Sequence, residues 1–203
     1  NTATPTIVSG SRIMWKAALT PNSSSGIGTF SSTAQFNLEG NPMSLLYGGD
    51  FVGKTSLEGK NYAFKYLFSG CTNVVSAENL SLPATTLAQY CYQNMFQGCT
   101  SLTTAPELSA TTLADSCYQN MFKGCTSLTT APQLPATTLA SSCYDSMFYG
   151  CTSLTTTPSI LPATTLMTYC YSSMFQNCTS LTIAPELPAT TLEMFCYCYM
   201  FKG

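Results

Sequence analysis

The 203-residue chain contains no histidine, which removes the commonest general base from any serine or cysteine dyad or triad. Charged residues make up only 8% of it, about a third of the usual share. Seven Lys and Arg, scattered along the chain, stand against nine Asp and Glu for a net charge of -2. That gives no basic footprint for a phosphate backbone or an anionic membrane, so nucleic acid is excluded as a partner. No stretch approaches the roughly 18 uninterrupted apolar residues of a membrane helix, so no membrane insertion is expected from this segment. Walker and dinucleotide glycine patterns are missing, and no cofactor is expected. Asn1 to Gly10 lack an initiator Met and a basic-then-apolar leader, which points to a processed or excised piece of a longer protein. What the chain has instead is 45% hydrophobic residues, enough to fold, and many Thr and Ser, so its solubility rests on hydroxyls. That balance suggests an extracellular protein.

Internal self-similarity organises most of the sequence. Met95-Phe96, Met121-Phe122, Met147-Phe148, Met174-Phe175 and Met200-Phe201 recur at steps of 26, 26, 27 and 26, with Leu67-Phe68 standing 28 before the first. Cysteines keep the same step in two columns. Cys91, Cys117, Cys143, Cys170 and Cys196 form one, with Ala63 in the place of a first member; Cys71, Cys99, Cys125, Cys151 and Cys178 form the other. Leu102, Leu128, Leu154 and Leu181 make a third column. The final Phe201-Lys202-Gly203 stops part-way through a unit, which points to a natural protein that runs on.

Within the unit Cys125 to Gly150, Leu139, Cys143 and Met147 fall at i, i+4 and i+8. This spacing predicts a helix of about two to three turns, capped by Thr137 or Thr138 and stopped by Gly150 in the left-handed region, as Gly70, Gly98 and Gly124 would stop the earlier copies and Asn177 the fifth. In the first half, Leu-Thr-Thr-Ala between Gly-Cys and Pro suits a short strand. One such unit cannot bury its apolar face alone, so copies must stack strand beside strand and helix beside helix into a solenoid. The extra residues, one at Ile160 and two within Glu78 to Leu82, fall between strand and helix, where a loop can bulge without breaking the stack.

The string Met-Phe-x-Gly-Cys-x-Ser-Leu-Thr, as in Met121 to Thr129, resembles the BspA-like leucine-rich repeats of bacterial cell-surface proteins. The likeness covers about residues 62 to 203, with a period longer than the commonest version and Pro-Ala-Thr-Thr-Leu in place of the usual turn. It implies an α/β solenoid of short parallel strands and short helices, export to the cell surface, and a role in adhesion or in binding host or matrix molecules.

Residues 1–60 do not repeat, and the solenoid is expected over 61–203 as about five units with the last truncated. Trp15, Gly26-Ile27-Gly28 and the alternation from Thr29 to Leu38 suggest two or three strands, then a turn at Asn41-Pro42 and a short apolar stretch, Met43 to Tyr47. Two readings fit this segment: a partly β cap on the exposed end of the solenoid, or the tail of a preceding β-sandwich.

The cysteines fall where helix and exit turn should be buried, as free Cys prefers. Two of them eight apart in one unit, such as Cys117 and Cys125, would be separated by about 12 Å along a helix, beyond the roughly 7 Å limit for a disulfide. Bridges between coils stay open. Without His or a C-x-x-C pair, only Cys196-Tyr197-Cys198 approaches a metal motif, and no metal is expected. Glu107 and Glu186 occupy equivalent places three coil steps apart, roughly 14 Å by strand spacing, too far for paired-carboxylate chemistry. Tyr92, Tyr118, Tyr144, Tyr171 and Tyr197 are either a glycan-stacking ladder or inter-coil packing. Thr103, Thr129, Thr155 and Thr182 sit beside the Leu column, and a row of hydroxyls there would suit a periodic protein or glycan ligand; the plainer alternative is Thr stacking along the sheet. The helix exterior varies most between copies, as in Asp115-Ser116, Ser141-Ser142 and Thr168-Tyr169, or Gln97, Lys123, Tyr149, Gln176 and Lys202. Together these features predict a non-catalytic surface or secreted binding module, or else a structural spacer in a cell-surface or phage-tail protein.

Overall fold

A computed structural model describes residues 16–203; Trp15 lies outside the described residues. The chain is a solenoid of stacked coils whose side-chain columns run along the stack. It opens with strand β1 (Phe36–Gly40), a one-turn helix α1 (Met43–Tyr47) and a 3-10 turn at Gly48–Phe51, and continues through strand β2 (Val74–Leu80). The sequence suggested two or three strands before residue 60. Of these, β1 is the only named strand among the described residues. The short apolar stretch after Pro42 is helical: the Asn41 carboxamide oxygen accepts the Met43 N–H at 2.9 Å, and Met43, Leu45 and Leu46 are buried.

Strands β1 and β2 pair in parallel with register shifts. The two extra residues within Glu78 to Leu82 therefore extend a strand that reaches β1, with Glu39 opposite Asn79 and Gly40 opposite Leu80, where a bulging loop was expected. Other contacts fasten the segment before residue 40 to the first coil. The Phe30 N–H donates to the Leu67 carbonyl (2.7 Å), Lys65 Nζ to the Ser23 carbonyl (3.0 Å) and Asn73 Nδ2 to the Ser32 carbonyl (2.8 Å).

In later coils the expected short strand shrinks to parallel bridges at two threonine columns. One runs Ser76, Thr104, Thr130, Thr156; the other runs Ser56, Thr86, Thr112, Thr138, with Thr165 bridging Thr191 further on. Thr138 thus pairs across coils and caps no helix.

The predicted helix in each unit is not formed. Between Ala140 and Cys151 the N–H groups of Cys143, Asp145, Met147, Tyr149 and Cys151 donate three residues back, to Ala140, Ser142, Tyr144, Ser146 and Phe148. The intervening N–H groups of Ser142, Tyr144, Ser146, Phe148 and Gly150 leave the coil and donate to Thr168, Cys170, Ser172, Met174 and Gln176 of the next, at 2.8–3.0 Å. The segment is a train of consecutive turns. A helix would satisfy these donors internally and leave nothing to join coil to coil, whereas the train satisfies every second one across the stack.

The train demands left-handed backbone at every fourth residue: Ser142, Ser146 and Gly150 lie at φ 54, 54 and 72. The same three places hold Tyr90, Asn94 and Gly98 two coils earlier, and Tyr169, Ser173 and Asn177 one coil later. Gly150 and Asn177 are left-handed as the sequence suggested, but as the third of three such positions. Ser142→Gly separates train from helix. Relief of a left-handed Ser should leave stability equal or raised by up to about 1 kcal/mol, where a helix interior would lose about that much. Urea unfolding reads the difference, and a clear loss would count against the turn train.

Candidate binding surface

The residues that carry potential chemistry separate by depth. Leu102, Leu128 and Leu154 are fully buried, as are Cys91, Cys117, Cys143 and the Met95, Met121, Met147 and Met174 column. All eleven cysteines are free thiols, and ten are buried. Along one column the Sγ atoms of Cys99, Cys125, Cys151 and Cys178 donate to the carbonyls of Phe68, Phe96, Phe122 and Phe148 at 3.0–3.1 Å. Each thiol so ties its turn to the coil before it.

Burial pushes these thiols away from reactivity. It raises Cys91 and Cys99 from the ordinary 9.0 to about 12, and Cys170 and Cys178 to about 11. Such groups stay protonated and are poor nucleophiles. The consequence for stability has a definite sign. Thiols in the unfolded chain ionise near 9.0 while the folded ones do not, so their contribution is intact below pH 9.0 and is lost as pH climbs through 11 to 12. Buried Tyr92, Tyr118 and Tyr144, raised by desolvation above 10.0, act in the same direction. The urea midpoint should hold steady between about pH 7 and about pH 8 and fall steadily above about pH 9; a flat profile to about pH 11 would show that the thiols are not buried in this way.

Tyr92, Tyr118, Tyr144 and Tyr171 resolve the two readings of their column. Their rings are buried and stacked on one another 5.5–5.7 Å apart, so they pack coil on coil and offer no face to a sugar. A parallel ladder of Phe68, Phe96, Phe122, Phe148 and Phe175 repeats at 5.4–5.5 Å. The Tyr92 hydroxyl is buried without a hydrogen-bond partner among the described residues. The preceding coil carries Phe64 there, with no hydroxyl to meet it.

Hydroxyls dominate the outside. Thr103, Thr129, Thr155 and Thr182 are all exposed. Two of them are committed to the stack: Thr103 Oγ1 donates to the Val75 carbonyl at 3.0 Å and Thr155 Oγ1 to the Thr129 carbonyl at 3.2 Å. The following residues behave differently. Thr130 and Thr156, exposed in the bridge column, have no hydrogen-bond partner for their hydroxyls among the described residues, and the same holds for Thr112 and Thr138 in the second column. In the pairs Thr103-Thr104 and Thr155-Thr156 it is the earlier hydroxyl that reaches a carbonyl of the preceding coil, while the Thr129 hydroxyl, like that of Thr130, meets no partner among the described residues. The sequence marks both positions as Thr, and only the backbone decides which hydroxyl turns inward.

No family profile matches the sequence, and no curated protein matches it. Among solved structures the fold is similar to a leucine-rich repeat protein of T. pallidum, TpLRR. The two are 20% identical over 70% of this chain and 69% of that one, with a TM-score of 0.34. At that score the likeness carries no argument about what this chain does.

The acidic residues of the stack meet in a pair at one place, where Glu78 and Glu107 line the same groove. Glu107 and Glu186 are exposed in different coils, with Glu186 bridged to Ile160. The Glu78 to Leu82 insertion borders a groove of about 260 Å³ that also meets Glu107 and Ser109. Among the described residues no three His, Cys, Asp or Glu side chains converge to hold a metal ion, and no helix is long and apolar enough to cross a membrane. The variable outer columns line the turn train. Lys123 lies 4.8 Å from the Tyr149 ring centroid, and Gln93, Gln119 and Asp145 form a hydrogen-bonded ladder across three coils. Ser116, expected outside, is buried, whereas Ser142 at the same place in the following coil is half-buried and Tyr169 in the coil after that is exposed.

Proposed function

We propose that this chain is a non-catalytic binding module of the leucine-rich, BspA-like kind, secreted or held at a cell surface, that recognises a protein or glycan through its repeat surface. Residues 16–60 act as a partly β cap on its first coil. The observation that carries the reading is the pair of exposed threonine columns in register along the stack. The unspent hydroxyls of Thr112, Thr130, Thr138 and Thr156 can each donate and accept, which suits an uncharged ligand whose polar groups also repeat. Thr103, Thr129, Thr155 and Thr182 flank that row and belong to the proposed contact surface with Thr130 and Thr156. The missing histidine and the protonated, buried thiols support a role without catalysis.

The inward hydroxyls of Thr103 and Thr155 favour a second reading, a structural spacer whose threonines serve only the stack. Screening the chain against host glycans and matrix proteins, beside a Thr130→Arg/Thr156→Arg variant, separates the two. A hit abolished by the variant while folding is unchanged supports the binding module. Silence across the screen, or a hit indifferent to the variant, removes the threonine surface from the account and favours the spacer.

A further inference from the structure

Left-handed backbone suits Gly, Asn and other small turn-forming residues, and a bulky ring there is an outlier. The first left-handed position of each train nevertheless holds Tyr62, Tyr90, Ser116, Ser142 and Tyr169 in successive coils, all at positive φ. Tyr90 stacks on Tyr62 at 5.1 Å with planes within 5°, and Tyr169 stacks on Phe195 at 4.9 Å. Between these two pairs the outer ring ladder is interrupted for two coils, well inside the stack. The ring faces of Tyr90 and Tyr169 that turn away from their stacking partners lie toward Ser116 and Ser142, across three coil steps, roughly 14 Å by strand spacing. Tyr90 is half-buried and Tyr169 is 40% exposed. The two rings wall a trough on the turn-train face, with serines on its floor.

Unpartnered polar groups gather at the same place. Asn94, Ser116 and Ser172, the three buried polar residues among the described ones, are only 6%, 8% and 8% exposed, and all lie on the trains that Tyr90 and Tyr169 bound. None of their carboxamide or hydroxyl groups has a hydrogen-bond partner among the described residues, although polar groups so deeply set are ordinarily bonded. The backbone here is already committed. From Tyr90 to Gly98 and from Ser116 to Gly124 every N–H donates within its train or to the next coil, which leaves an extended peptide no strand edge to join. Recognition in the trough therefore falls to side chains. Lys123, the only Lys or Arg between Tyr90 and Asn177, lies over the Tyr149 ring, so nothing here attracts an anion. Asp115 and Asp145 accept from the Ser141 N–H and from Gln119 Nε2.

We propose that this trough binds a short neutral oligosaccharide, with pyranose rings against Tyr90 and Tyr169 and sugar hydroxyls on Asn94, Ser116 and Ser172. An aromatic face is apolar with negative potential, and the C–H face of a sugar ring is apolar with slightly positive hydrogens, so the two are complementary. Sugar hydroxyls donate and accept at once, as the carboxamide and hydroxyls of the floor do. Backbone strain persists where function holds it in place, which accounts for Tyr at two positions that Asn or Gly would fill at less cost. The inference rests on the reading of the chain as a binding module but places a site on a different face from the threonine columns, and neither site needs the other.

The test titrates the whole chain, with thiols kept reduced, with neutral di-, tri- and tetrasaccharides of the glucose, galactose, mannose and N-acetylglucosamine series, read by calorimetry and tyrosine fluorescence. Tyr90→Asn and Tyr169→Asn supply a residue that left-handed backbone favours, so each should fold with its urea midpoint equal or raised while affinity for the bound sugar falls by about tenfold or more. Ser142→Tyr continues the ring ladder into the trough on backbone that already accepts Tyr, and should abolish binding with folding intact. The Thr130→Arg/Thr156→Arg variant should bind the sugar as the unaltered chain does. Failure of every sugar in the series to bind at millimolar concentration would overturn the proposal, as would binding indifferent to the Tyr substitutions or to Ser142→Tyr. Sugar binding lost only in the threonine variant would move the ligand to the other face and leave that reading standing without this one. A matrix protein bound through Tyr90 and Tyr169 where no sugar binds would make the trough a peptide site and equally overturn it.

Discussion

Leu128→Asp should abolish cooperative folding of the repeat array. Leu128 is fully buried in a column with Leu102 and Leu154, and its own N–H is already bound to the Cys125 carbonyl. A carboxylate there finds neither water nor a cationic partner, and an uncompensated buried charge costs several kcal/mol. A domain of ordinary stability has only about 5–15 kcal/mol to lose. The neighbouring Thr129→Ala provides the contrast. Its side chain is exposed and only its backbone carbonyl serves the stack, so the change should stay within about 0.5 kcal/mol. Circular dichroism and urea unfolding of the pair decide the register. A soluble, cooperatively folding Leu128→Asp chain, or equal damage from Thr129→Ala, would mean that the inside and outside of the coil have been exchanged.

Phe122→Ala should cost about 3–5 kcal/mol. The Phe122 ring is fully buried at the centre of its ladder, 5.4 Å from Phe96 and 5.5 Å from Phe148, with planes within 6° of each. Removing it empties one rung and unstacks two neighbours, while the hydrogen bond from Cys151 Sγ to the Phe122 carbonyl survives. Since coils couple only to their neighbours, loosening should spread outward from this rung. Hydrogen exchange should then show the amides of Phe96, Phe122 and Phe148 opening first. A loss below about 1 kcal/mol would be incompatible with a continuous ring ladder.

The missed helix shows where sequence reasoning stopped. Leu139, Cys143 and Met147 at four-residue steps fit a helical face, and so do the pairs Cys143-Tyr144 and Met147-Phe148. A turn train with a period of four buries the same residues, so the apolar pattern cannot distinguish them. The sign that does is at Ser142, Ser146 and Gly150, where a small or turn-forming residue recurs every fourth position and adopts positive φ. Tyr at 62, 66, 90 and 169 takes the same backbone and hides that sign. The burial of Tyr92 and Tyr118 was open for a related reason: an aromatic column at constant spacing suits a ligand platform and a packed ladder equally well.

Sequence alone determined the period, the columns, the burial of Leu, Cys and Met, the left-handed Gly and Asn, and the lack of a histidine-based site, because these follow from residue type and spacing. Tertiary structure decided three further matters: that the second half of each unit is turns, that β2 lengthens to meet β1, and that Thr130 and Thr156 keep free hydroxyls while Thr103 and Thr155 spend theirs. Each depends on where a backbone N–H or carbonyl finds its partner. In a solenoid that partner sits about 26 residues away in the next coil, beyond the reach of any local pattern.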